Sequence, residues 1–474
     1  MLGYFPKYFS NKATCTYILA MLVLLSLFYN ASMPIYLYVF GILSVLLFFI
    51  GSNNLTKKMS KLSQRSFESK LFWIALIIRI VYVIIIYVIN NSIYGTYYES
   101  NSGDIEFYVP SAIRGAELIN EGENIIQLWS LWGIEYSDMG YILYLSILYF
   151  MTGSLSTVIL PLIIKSILGA YICIFMFRVG VRHFGESAGR MAGIFCALQF
   201  NMIWWCGSMM KEAEMCFLLA WFIERADNIL YGGKNNVSYW IITLLIVLSL
   251  YFFRTILSIC ALMSFFVAII FIKNKFITRK RKISIIVVCS VLLLSTMGGK
   301  IYNEMNTLLN RASSDHQQTN MEWRTQRDGG NSLAKYAGAA IFAPLIFSIP
   351  FPTVVYTQLD QEMLMQVAGG NYVKNVMSFF VIILMFYMLK DKVWRDHIFL
   401  IAILLSYLFA LVFSEFAHSG RFHMPIMGLE MLFAAAGVVY YGKNNKKFFN
   451  YFLIFEFVVI IGWSWFKLAG RGLA

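Results

Sequence analysis

The chain has 474 residues, of which 59% are apolar and only 13% charged, with a formal net charge of +13. Soluble domains carry about a quarter charged residues, so this balance excludes a water-soluble globular fold and a separate soluble catalytic domain. The excess of Lys and Arg, in a chain of this kind, reads as basic cytosolic loops and not as a nucleic-acid surface.

Apolar runs recur at the roughly 20-residue length that crosses a bilayer. The expected class is therefore all-α: a polytopic membrane protein, one integral membrane domain over residues 1–474, with about 13 transmembrane helices. In chain order the runs lie near 15–30, 33–52, 71–92, 156–178, 190–209, 213–226, 237–253, 255–273, 283–299, 373–390, 397–414, 423–441 and 448–466. No cleavable signal peptide is expected, because residues 1–30 lack a small-residue cleavage site and lead into a second apolar run. The seven cysteines (Cys15, Cys173, Cys196, Cys206, Cys216, Cys260 and Cys289) lie in or beside the runs without a C-x-x-C pair, as small apolar packing residues do.

Lys and Arg collect on the cytosolic side of short loops, which sets the topology. Lys7 and Lys12 place the N-terminus inside, and Lys57, Lys58, Lys61, Arg65 and Lys70 mark an inside loop. Further inside loops carry Arg178, Arg182 and Arg190, then Lys273 to Lys282, Lys390 to Arg395, and Lys443 to Lys447. The first outside loop, 93–155, has the opposite sign: Glu99, Asp104, Glu106, Glu117, Glu121, Glu123 and Glu135 face only Arg114 up to residue 137. Two apolar stretches then lie between an outside and an inside loop, so only one can cross. The shorter, 139–153, is read as an interfacial or re-entrant helix.

The same parity places a re-entrant element at 336–358 in a second outside loop, 300–372. Pro344, Pro350 and Pro352 argue against a helix there, and irregular backbone at membrane depth needs protein or a water-filled cavity around it. No internal repeat is evident. Apart from Arg79 and Lys165, the spans read as nearly free of mid-membrane charge, and Arg79 reads as reaching the cytosolic headgroups.

Polar groups that suit chemistry collect on the outside face. Gly103-Asp104-Ile105-Glu106-Phe107-Tyr108 offers two carboxylates one residue apart, fit for a divalent cation or a general base, or for a plain solvated surface. Met210-Lys211-Glu212 fills a tight turn between two apolar helices, with Glu214 on the next turn. Arg254 alone connects two spans; its planar fork suits phosphate, and snorkelling to the interface is the other reading. Glu415 to Pro425 gathers an acid, Arg421 and two histidines, His418 and His423. Five residues apart across a glycine, those histidines suit an anion or sugar better than a metal.

Asp104, Glu106, Tyr108 and Ala112 resemble the modified D-x-D motif of the GT-C superfamily of glycosyltransferases, which includes protein O-mannosyltransferases and the lipid A aminoarabinose transferase. Asp138-Met139-Gly140-Tyr141, Phe184-Gly185-Glu186-Ser187-Ala188, Lys211-Glu212 and Arg421-Phe422-His423-Met424-Pro425 are similar to stretches of its bacterial members. The likeness covers roughly residues 70–440, and departs in an extra hairpin at 15–52 and in the lack of a large soluble C-terminal domain. It implies transfer of a sugar from a polyprenyl-phosphate carrier to a glycan, lipid or protein acceptor outside the cytosol, in a bacterial inner membrane. It further implies Asp104 as base, Glu212 and Glu106 either on a divalent cation such as Mg2+ or Mn2+ or orienting the donor phosphate, and Tyr108 and His423 as substrate contacts. Arg254, Lys211 and Arg421 would then neutralise the leaving phosphate. A lipid-linked oligosaccharide polymerase or ligase, and a transporter or flippase of such lipids, remain alternatives. A transporter would need polar groups near the midplane.

Overall fold

The computed structural model describes residues 3–31, 34–95, 103–123, 136–153, 158–233, 236–271, 343–353, 366–413 and 419–470, with 299, 302, 306 and 355 as isolated positions. The expected span at 283–299, most of the loop 300–372 and residues 414–418 with Glu415 and His418 lie outside these. Among the described residues every extended element is helical. In order they are α1 (Lys7–Leu27), α2 (Ile35–Lys58), α3 (Gln64–Tyr94), α4 (Gly103–Asn120), α5 (Tyr136–Thr152), α6 (Ile159–Phe184), α7 (Glu186–Leu198) and α8 (Phe200–Trp204). Then follow α9 (Glu212–Leu230), α10 (Val237–Phe253), α11 (Thr255–Phe271), α12 (Ala368–Lys390), α13 (Ile398–Phe413), α14 (Gly420–Tyr441) and α15 (Lys446–Ala469).

Eight of the described helical segments are long and apolar enough to cross a membrane, α13 being one together with the 3-10 turn Val393–His397 that precedes it; α10 and α11 are apolar but shorter. The exposed faces are what lipid requires. On α3 the outward side chains include Ile77, Val81, Ile84 and Val88, whereas the inward face holds the fully buried Arg79. A helix in water would reverse that pattern.

The centre of the bundle is α14, 94% of whose apolar window is buried. It is surrounded by α6, α7, α9, α12 and α13. Small residues allow the closest helix approach: where α6 meets α7, a Cβ on Gly189 would stand 2.7 Å from the Phe177 carbonyl oxygen. At the Lys/Arg-rich end, Arg178 grips Glu68 with two bonds of 2.8 Å. Beside it Asp227 takes Arg182 and the His183 ring (2.6 Å), and His183 meets His397 at 3.0 Å.

Two expectations need correction. The run 190–209 is not one helix: it breaks at Gln199, where the backbone is extended (φ −65°, ψ 113°), and resumes as the short α8 and a 3-10 turn over Trp205–Gly207. The break frees carbonyls at the end of α7, and Arg79 caps them. It donates to Cys196 (3.1 Å) and Ala197 (3.4 Å), and to Ala75 of its own helix (3.1 Å). Arg79 therefore faces the interior and does not reach the headgroups. A buried carbonyl that loses its donor costs about 1–3 kcal/mol, so Arg79→Met is expected to lower the melting temperature in detergent, with Arg79→Lys intermediate. Equal melting of Arg79→Met and wild type would show that the cap is dispensable.

The second correction concerns charge inside the spans. Lys374 on α12, Glu430 near the middle of α14 and Glu456 near the middle of α15 are all buried. Lys374 donates to the carbonyls of Phe347 (3.1 Å) and Ile349 (2.5 Å), and Asn375 to that of Pro350 (3.0 Å). These bonds anchor 343–353, whose irregular backbone is mostly covered by protein, as such backbone must be within a membrane.

Candidate functional site

Four helix N-termini meet at the end of the bundle opposite the Arg178–Glu68 pair. Asp104 lies in the first turn of α4, Asp138 in that of α5 and Glu212 in that of α9, where a carboxylate complements the positive end of the helix dipole. The fourth helix, α14, brings Arg421 in its first turn.

Arg421 lies between two of the acids. Its Nη1 donates to Asp104 Oδ2 and its Nε to Glu212 Oε1. Glu212 is fully buried, Asp104 about half exposed (47% of its side chain). The second oxygen of Glu212 is buried without a hydrogen-bond partner. Beside this pair, Lys211 donates to Asp138 Oδ1 and to the carbonyl of Phe253 (2.9 Å), and the Tyr108 hydroxyl donates to the same Asp138 oxygen (3.2 Å). Burial pushes the Lys211 ammonium below its ordinary value, Arg254 adds to that, and Asp138 opposes it. Burial, then Asp138 and Asp104, push the Tyr108 phenol up, so that it stays protonated as a donor.

Asp138 is the residue that reading the sequence for acids alone overlooks. In the sequence it only opens a short apolar stretch; in space it is the third carboxylate of the site. Gly140 explains the placement, since a Cβ there would meet the backbone carbonyl of Phe252 at 2.9 Å. Helix α5 can thus lie against the turn that carries Arg254. The backbone at Arg254 ends α10 in an extended conformation (φ −163°), and its carbonyl starts α11 by accepting from Leu257 (3.1 Å). Its guanidinium lies 4.4 Å from the centre of the Phe422 ring, which Arg421 approaches at 5.8 Å, and the Tyr407 hydroxyl donates to the Phe422 carbonyl (3.0 Å). Among the described residues no carboxylate forms an ion pair with Arg254.

Lys165 supports the turn from below. Fully buried, it donates to Tyr141 (3.0 Å) and to the carbonyls of Ser208 (2.9 Å) and Met210, and pairs with Glu214 at 3.4 Å. Those two carbonyls belong to the three residues before Lys211-Glu212, so the charge inside a span serves to fix the turn.

Not every sequence candidate converges. Residues two positions apart on a helix lie about 200° from each other around its axis, and Glu106 is exposed on the side of α4 away from Asp104. His423 is fully buried, below the surface that Arg421 reaches. Among the described residues no group of three or more His, Cys, Asp or Glu is placed to hold a metal ion. The carboxylates that do meet, Asp104 and Glu212, are bridged by the Arg421 guanidinium, which stands where a shared divalent cation would stand. Among the described residues, the cation between these two carboxylates is the Arg421 side chain itself. Chemically, the site offers a half-exposed carboxylate able to take a proton, and next to it cations suited to a phosphate. No family model matches the chain, and no curated protein or solved structure matches it.

Proposed function

We propose that the protein is a membrane glycosyltransferase that moves a sugar from a polyprenyl-phosphate carrier to an acceptor hydroxyl at the outer membrane face. What supports the reading above all is the meeting of Asp104, Asp138 and Glu212 with Lys211, Arg254 and Arg421 at one end of an apolar bundle. A lipid-borne donor accounts for a site at that level. The proposal includes about 13 spans, a bacterial inner membrane, and the N-terminus inside, the last as the charge of the loops implies.

In this reading Asp104 accepts the proton of the acceptor hydroxyl as its oxygen bonds to the anomeric carbon. The bond from that carbon to the phosphate oxygen breaks in line, its electron pair leaves with the polyprenyl phosphate, and configuration inverts. Arg254 and Lys211 meet the charge that develops there, while Arg421 holds Asp104 against Glu212.

Arg254 carries the testable part of donor recognition. A lost charge-assisted bond is worth about 1.5–3 kcal/mol, so Arg254→Ala should weaken binding of a short-chain polyprenyl phosphate about tenfold or more. The shift in melting temperature with added lipid phosphate reads this directly. Equal shifts in variant and wild type would remove Arg254 from the site. If Arg254 and Arg421 are needed for product formation but Asp104 is not, the polymerase or ligase reading takes precedence. Transport is a second reading, favoured by one observation, the buried Lys374, Glu430 and Glu456 within the spans.

A further inference from the structure

Lys374, Glu430 and Glu456 come from three different helices and lie away from the site described above. Each is nearly or fully inaccessible: 2%, 3% and 0% exposed. Lys374 pairs with Glu430 at 3.6 Å. None of the four carboxylate oxygens of Glu430 and Glu456 has a hydrogen-bond partner at ordinary distance. The polar groups beside Glu456 are the Lys374 ammonium and the Ser348 hydroxyl of the anchored segment. The other titratable groups facing the cluster are Tyr372 of α12 and, stacked on it at 4.8 Å, Tyr17 of α1. Tyr372 donates to the Ala13 carbonyl (2.7 Å) and supplies no charge.

The cluster thus holds two acids and one ammonium in an apolar interior. An ionised group there is costly unless it is paired or neutralised. Lys374 can balance one carboxylate, and its other bonds go to Phe347 and Ile349. The second acid requires another cation. We propose that Lys374, Glu430 and Glu456 form an intramembrane proton-binding site, with the proton on Glu456 and the ammonium paired to Glu430. Taking up the proton converts one carboxylate to a carboxylic acid. Releasing it leaves two anions competing for Lys374, which also holds the segment 343–353. The site is independent of glycosyl transfer, and neither idea falls with the other.

The charge count predicts a stoichiometry that infrared spectroscopy reads on the full-length protein in lipid vesicles. Wild type at neutral pH should show a protonated-carboxyl stretching band that shifts in heavy water and disappears as pH rises. Glu456→Gln should lose one carboxyl equivalent. Glu430→Gln should lose it too, because the remaining acid then pairs with Lys374 and ionises. Lys374→Met should gain one. Both glutamine variants keep the size of the side chain, and unchanged melting and elution would confirm their folding. Should one glutamine variant fail to fold, the other and the wild-type titration still decide. An unchanged band in both folded glutamine variants would overturn the proposal. So would loss of the wild-type band on adding sodium chloride at constant pH, which would put an alkali cation there.

Discussion

Arg421→Ala is expected to abolish detectable transfer and to destabilise the protein together. The Arg421 guanidinium bridges Asp104 and Glu212, so its removal leaves two carboxylates facing each other with Glu212 fully buried. Breaking a buried pair from one side costs about 3–5 kcal/mol, and the stability loss comes from Glu212, since Asp104 is half in solvent. Removing a group that positions charge in an active site lowers rates by about 10²–10³-fold. Arg421→Lys separates the two effects. It restores a charge but not the fork that reaches two acids, so melting should recover toward wild type while transfer stays low. If Arg421→Ala melts like wild type and turns over normally, the bridge is ornamental.

Asp104→Asn is expected to stop transfer with little change in folding or in donor binding. Asparagine keeps an oxygen toward Arg421 but cannot take a proton, and general-base contributions are about 10²–10⁴-fold. Rates must be compared at matched protein levels in the membrane. Glu106→Gln is the control. Exposed on the far side of α4, it should change stability by no more than about 0.5 kcal/mol, as surface changes usually do, and should leave turnover as it is. Loss of transfer in Glu106→Gln but not in Asp104→Asn would reverse their roles.

The helical membrane character was legible because it follows from run length and charge, and the outward Ile and Val of α3 repeat it residue by residue. The site was legible in part. Asp104, Lys211, Glu212, Arg254 and Arg421 stand out as charges at the ends of apolar runs, where desolvation makes an idle charge expensive. Their pairing was not legible, because Asp104 and Arg421 are separated by most of the chain. Asp138 was masked by its position at the head of an apolar stretch, and only the close approach at Gly140 reveals its purpose. The break at Gln199 had no proline or glycine to announce it; the signal was Arg79 in a different helix. Glu430 and Glu456 are single acids in long apolar runs that the reading of the spans as nearly uncharged passed over, and that they share one lysine is a fact of packing.

The most direct measurement is transfer itself. Purified protein in lipid vesicles is supplied with a panel of polyprenyl-phosphate sugars carrying a labelled sugar, together with extracted envelope lipids and glycans as acceptors. The account predicts that one donor yields labelled product and free polyprenyl phosphate in equal amounts, with inverted anomeric configuration, and that Asp104→Asn yields neither. Product formation by Asp104→Asn at the wild-type rate would contradict the assignment of the base. Movement of an intact labelled donor across the bilayer, with no transfer from any donor, would contradict the enzyme reading altogether.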